Sequence, residues 1–131
     1  MYDFLLTPQE VELKEEARRF VREEISADFL RKMDRDEITY PREFVTKLAE
    51  RGLRGIRFPE EYGGLGLSQV NYNRAIHLVS SYCASTAVML SAHQSIGVPQ
   101  PLKDFGTEEQ KKKYFPRFVK GDISAFALTE A

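Results

Sequence analysis

Between Ala84 and Gly97 the chain runs Ala-Ser-Thr-Ala-Val-Met-Leu-Ser-Ala-His-Gln-Ser-Ile-Gly without a formal charge, although 30% of all its residues are charged. The stretch contains no proline, and its one glycine is its last residue. Ala, Leu and Met favour helix, and a few Ser and Thr are tolerated there. Apolar residues fall on nearly every side of such a helix: Ala84, Ala87, Val88, Met89, Leu90, Ala92 and Ile96. A helix that is apolar all round is normally buried. At about 14 residues it is too short to cross a bilayer and suits a core helix. The expectation is a helical domain built around a buried central helix. Its Ala and Ser positions leave room for close approach by neighbouring helices or by a bound chain.

The segments on either side support that expectation. Thr7-Pro8-Gln9-Glu10 reads as a helix start, with Thr7 as cap, Pro8 in the first helical position and Glu10 closing a capping box. Leu6 and Val11 are spaced for a hydrophobic staple. Leu13, Ala17, Phe20, Val21 and Ile25 follow helical spacing, and Glu15–Arg19 and Arg19–Glu23 are expected as four-apart pairs on a solvated face. A second stretch carries Ile25, Phe29, Leu30 and Met33, and fades at Asp34-Arg35-Asp36-Glu37. Pro41 opens a helix with Phe44, Val45, Leu48 and Ala49 on one face, and Gly52 fits the left-handed residue after its end, with Leu53 folding back on Leu48. Ile56-Arg57-Phe58 before Pro59 is expected to be extended.

Pro59-Glu60-Glu61-Tyr62-Gly63-Gly64-Leu65-Gly66 reads as a tight glycine loop, without the Gly-Lys-Ser/Thr ending or dinucleotide spacing of a phosphate cradle. Ser68 caps the next helix, whose apolar stripe is Tyr72, Ala75, Ile76, Val79 and Cys83. His77 lies off that stripe and reads as a surface histidine. His93 has no potential metal ligand three or four residues away and reads as a hydrogen-bonded core histidine. Pro99 and Pro101 begin a short helix that Phe105-Gly106 ends. Thr107-Glu108-Glu109-Gln110 is a second capping box, followed by Lys111-Lys112-Lys113 on the wet side and Tyr114, Phe115 and Phe118 on the buried side. Pro116 is expected to kink or shorten that helix. After the turn Gly121-Asp122, Ile123 to Thr129 alternates and suits a strand.

The totals bound the function. A net charge of -1 argues against a nucleic-acid binder. The single Cys83 excludes an internal disulfide and points to a reducing compartment. Met1-Tyr-Asp-Phe-Leu-Leu-Thr-Pro lacks the basic leader and long apolar core of a secretion signal, and no apolar run is long enough to span a membrane. The lone terminal strand would have no partner, so the chain reads as the front part of a longer protein.

Three motifs coincide with a known family. Pro59 to Gly66 resembles the hallmark loop of the acyl-CoA dehydrogenases. Phe105-Gly106-Thr107-Glu108-Glu109-Gln110-Lys111-Lys112-Lys113-Tyr114 resembles their second landmark, and Phe126-Ala127-Leu128-Thr129-Glu130 the opening of their flavin-binding strand. The resemblance covers essentially the whole chain, in order and spacing, and departs at Ala131, where many members carry proline. It implies an all-α N-terminal domain, an up-down bundle of about six helices over residues 1–121. Residues 122–131 would be the first strand of a β domain that is otherwise missing. The resemblance implies non-covalent FAD and oxidation of acyl-CoA thioesters to 2,3-enoyl-CoA, with the α proton going to a carboxylate base and the β hydride to flavin N5. That base lies beyond residue 131, so no catalytic residue is assigned here, and no metal is implied. Phe126, Leu128 and Thr129 match flavin-contacting positions, and Met89, Ala92 and Ile96 match positions that line the acyl cavity.

The expected partners are an acyl-CoA substrate, an acceptor of the electron-transfer flavoprotein type, and further copies of the full-length chain in a dimer or tetramer. The expected location is the bacterial cytoplasm or the mitochondrial matrix. Two non-catalytic readings compete: a helical binding or assembly module, and an acyl-CoA-binding domain.

Overall fold

The computed structural model describes residues 3–39, 41–95 and 97–125. Among them the chain forms seven α-helices and no strand: α1 (Pro8–Glu24), α2 (Ala27–Asp34), α3 (Arg42–Glu50), α4 (Gln69–Ser80), α5 (Ala84–Ser95), α6 (Pro99–Phe105) and α7 (Glu108–Val119). Side-chain caps fix several starts. Thr7 and Thr107 each close a full capping box, with Glu10 and Gln110 reaching back to the cap N–H. Ser26 and Ser68 cap α2 and α4 by accepting from the N–H groups of Phe29 and Asn71. Gly52, at φ +70°, ends α3 as its position predicts.

The centre of the fold is α4, packed between α1 and α5. Leu13, Ala17, Phe20 and Val21 of α1 meet Tyr72, Ala75 and Val79 of α4 and Ala87 and Leu90 of α5 in one buried cluster. Phe44 and Leu48 of α3 close it, and the Phe44 ring meets Phe20 edge-on at 4.9 Å. A second cluster joins the glycine loop to the C-terminal helices through Phe58, Tyr62, Leu102, Phe115 and Phe118. Tyr62 stacks on Phe115, and its hydroxyl donates to Glu108 Oε2 at 2.6 Å. That bond ties two sequence motifs together and holds the Glu108 carboxyl below the usual carboxylate range.

Several expectations need correction. Helix α5 is not buried all round: Thr86, Ala87, Leu90, His93 and Gln94 are buried, but Val88 is 61% exposed. Its neighbours among the described residues lie on one side, leaving the Ala84–Ser85–Val88 side uncovered. The four-apart pairs on α1 do not form. Glu15 pairs with Arg18 and Glu16 with Arg19, while Glu16, Glu23 and Glu24 converge on Arg51 at the end of α3. Arg51 draws Glu23 away from Arg19, and the pairs that remain along α1 settle at three-residue spacing. Ile56 to Phe58 is not extended. Leu53–Gly55 is a turn of 3₁₀ helix, Ile56 is helical (φ -52°, ψ -43°), and the chain turns before Pro59.

Pro116 does not shorten α7, which continues to Val119. The missing N–H would have bonded the carbonyl of exposed Lys112, which water can serve, and the Lys120 N–H closes the last turn on the Pro116 carbonyl at 3.2 Å. Of the strand expected over Ile123 to Thr129, residues 123–125 have no regular structure and the remainder lies outside the described residues.

The glycine loop is held by close backbone approach. A Cβ at Gly64 would lie 2.1 Å from the Phe58 carbonyl oxygen. Gly64→Ala must therefore displace backbone, and is expected to destabilise the protein by about 1–3 kcal/mol in urea denaturation. A variant as stable as the parent would contradict this packing.

Candidate functional site

A cavity of about 410 Å³ opens beside α5, a size common for small-molecule sites. Met89, Ala92 and His93 of α5 form one wall, Pro41, Arg42 and Val45 at the start of α3 another, and Gly97, Ile123 and Ser124 the rim. Arg54 closes one end. The walls are mostly apolar, and one side is open to solvent. Helical spacing explains the α5 wall, since residues 89, 92 and 93 share a face.

Arg54 is the unusual member. It sits on the 3₁₀ turn after α3 with 3% of its surface exposed. Its Nε donates to the Phe118 carbonyl at 3.2 Å and its Nη2 to the Asp122 carbonyl at 2.6 Å, so the guanidinium closes the C-terminus of α7. Nη2 also lies 2.9 Å from His93 Nε2 and 3.0 Å from Nδ1, where the ring nitrogen without a hydrogen can accept. Among the described residues Arg54 has no carboxylate partner, and its Nη1 makes no hydrogen bond. Burial pushes its pKa down to about 10, with Asp122 acting in the opposite direction, so it stays charged at neutral pH. His93 is buried against Phe58 and Phe118. Burial, and then the Arg54 charge, push its pKa down to about 3, which keeps the ring neutral.

Met89 and Ala92 therefore lie together on the cavity wall. Ile96, Phe126, Leu128 and Thr129 lie outside the described residues. Sequence reasoning missed Arg54, Arg42, Pro41 and Val45 as cavity residues. The available signal was a single charge inside the apolar run Gly52-Leu53-Arg54-Gly55-Ile56. Among the described residues no group of His, Cys, Asp and Glu could hold a metal, and no helix is long and apolar enough to cross a membrane.

Residues 7–122 match the family described as "Acyl-CoA dehydrogenase, N-terminal domain". The chain belongs to the acyl-CoA dehydrogenase family. Over 90 residues it is 56% identical to the probable acyl-CoA dehydrogenase FadE10 of Mycobacterium tuberculosis strain H37Rv, covering 69% of this chain and 14% of that one. It is 41% identical over 128 residues to an acyl-CoA dehydrogenase of Bacillus subtilis, covering 95% of this chain and 32% of that one. Among solved structures it is similar to an acyl-CoA dehydrogenase complexed with FAD from Bacillus anthracis. The TM-score is 0.82 at 30% identity, over 99% of this chain and 22% of that one. The chain thus spans a third or less of the length of these acyl-CoA dehydrogenases.

The neutral His93 has a consequence for stability. Its pKa is near 3 in the folded chain and about 6.5 when unfolded, so between those values the unfolded state binds more protons and stability rises with pH. The contribution is fully present above about 6.5 and is lost progressively on acidification. His93→Gln should flatten the stability profile between pH 7 and 5, where carboxylates contribute little, as read by urea midpoints at each pH. An unchanged slope would contradict the burial of a neutral imidazole.

Proposed function

We propose that this chain supplies the N-terminal helical part, residues 1–121, of a flavoenzyme that oxidises acyl-CoA thioesters to 2,3-enoyl-CoA. In this reading residues 122–131 lead into a β domain. The observation that carries it is the coincidence of family membership with an apolar cavity walled by Met89 and Ala92. The small Ala92 side chain leaves room for the acyl chain, and Pro41 and Val45 face it with further apolar surface.

FAD, when bound, supplies the two-electron acceptor that the oxidation requires. The described residues suit a hydrocarbon chain better than a flavin dinucleotide, since most of the cavity wall is apolar. Phe126, Leu128 and Thr129 would contact the flavin ring. The work of this chain is to bind and orient the acyl group and to keep water from the α5 face; the proton-accepting carboxylate belongs to a later segment. An acceptor of the electron-transfer flavoprotein type, assembly of the full-length protein into a dimer or tetramer, and a cytoplasmic or matrix location complete the proposal.

The test is an assay of the full-length protein. A yellow preparation with flavin absorbance, reducing an electron-accepting dye on addition of acyl-CoA thioesters, supports the reading. A colourless, stable protein that binds no acyl-CoA would overturn it. Ala92→Phe should raise KM at least about tenfold for the longest accepted acyl chains, with little effect on the shortest, because one ring fills the cavity at that point. An equal effect at all chain lengths would place the acyl group elsewhere.

A further inference from the structure

The cavity beside α5 is lined by positive charge at two points. Two arginines, Arg54 and Arg42, line it, and none of the described lining residues is Asp or Glu. Arg54 is a buried cation whose direct partners among the described residues are two carbonyls and His93; the end of α7 and the nearby Asp122 charge favour it, but no carboxylate touches it. Its Nε and Nη2 are engaged by the Phe118 and Asp122 carbonyls and His93, which fixes the guanidinium and leaves the Nη1 hydrogens for another acceptor. Arg42 is exposed and has no ion pair among the described residues. It also occupies the first position of α3, where the helix dipole disfavours a cation. The α3 helix gains nothing from a positive charge there. Between the two arginines the walls are Met89, Ala92, Val45 and Pro41.

We propose that this cavity receives an acyl group whose far end carries a carboxylate, its methylenes lying on Met89, Ala92 and Val45 and its anionic terminus meeting Arg54 and Arg42. The inference rests on the acyl-CoA reading above and narrows its substrate class to monothioesters of dicarboxylic acids. Inorganic phosphate or a nucleotide phosphate is also an anion, but it would leave the apolar walls without a counterpart. An acyl chain with a terminal carboxylate satisfies both halves of the cavity. Arg54 suits the role because its Nη1 hydrogens can donate to a carboxylate oxygen from a guanidinium already fixed by the Phe118 and Asp122 carbonyls.

The experiment uses the full-length flavin-containing protein. Binding of adipoyl-CoA and of hexanoyl-CoA, which has the same chain length without the carboxylate, is measured by calorimetry. Free CoA serves as the third probe. The expected result is at least about tenfold tighter binding of adipoyl-CoA. Arg42→Gln should reduce that preference at least about threefold. Arg54→Met should abolish the preference. Should that variant fail to fold, the unmodified protein and Arg42→Gln decide the matter. Equal or weaker binding of adipoyl-CoA overturns the inference and leaves the acyl-CoA reading standing. Equal loss of free CoA and of both thioesters in the arginine variants would show that the arginines serve a phosphate, and also overturns it. Failure of both thioesters to bind the unmodified protein removes the acyl-CoA reading and this inference with it.

Discussion

The buried guanidinium of Arg54 joins three parts of the fold that are far apart in sequence. It reaches from the turn after α3 to His93 on α5 and to the carbonyls of Phe118 and Asp122 at the end of α7. Removing such a group would leave the Phe118 carbonyl with the Gly121 N–H, 3.3 Å away, and would take this donor from the Asp122 carbonyl, and lost hydrogen bonds at partly buried groups are costly. The same contact sets where residues 122–124 leave the helices, and so where the cavity rim stands. The second cluster, with Tyr62 stacked on Phe115 and bonded to Glu108, supports it from behind. Helix ends, rim and cavity therefore depend on one cation that no carboxylate among the described residues contacts directly.

Much of the helical frame was legible in the sequence because its signals are local. Thr7, Ser68 and Thr107 cap where their spacing says they should, and Gly52 ends α3 with the expected left-handed residue. Errors arose where tertiary partners decide. Glu16, Glu23 and Glu24 turn to Arg51 on another helix, a choice invisible in the four-residue spacing of α1. Pro116 is tolerated inside α7 because the carbonyl it would have obliged to bond belongs to a residue at the surface. Val88 of the uncharged stretch is exposed because the described neighbours of α5 gather on its other side.

The site was half legible. Met89 and Ala92 share a helical face, and the structure places both on the cavity. Arg54 escaped notice because periodicity identifies faces of regular elements, and this residue sits on a short 3₁₀ turn between them. A charge flanked by Leu53 and Ile56, both fully buried, has few ways to remain in water. The buried arginine and the small-residue face of α5 give the cavity two unlike halves, one apolar and one cationic.

The proposed role of this cavity is tested most directly by photo-crosslinking the full-length protein with a CoA thioester that carries a diazirine midway along its acyl chain. The account predicts adducts on Met89 or Ala92 and on the Pro41–Val45 segment, mapped by peptide mass spectrometry and suppressed by excess unlabelled thioester. Specific adducts confined to other segments, with α5 untouched, would contradict it.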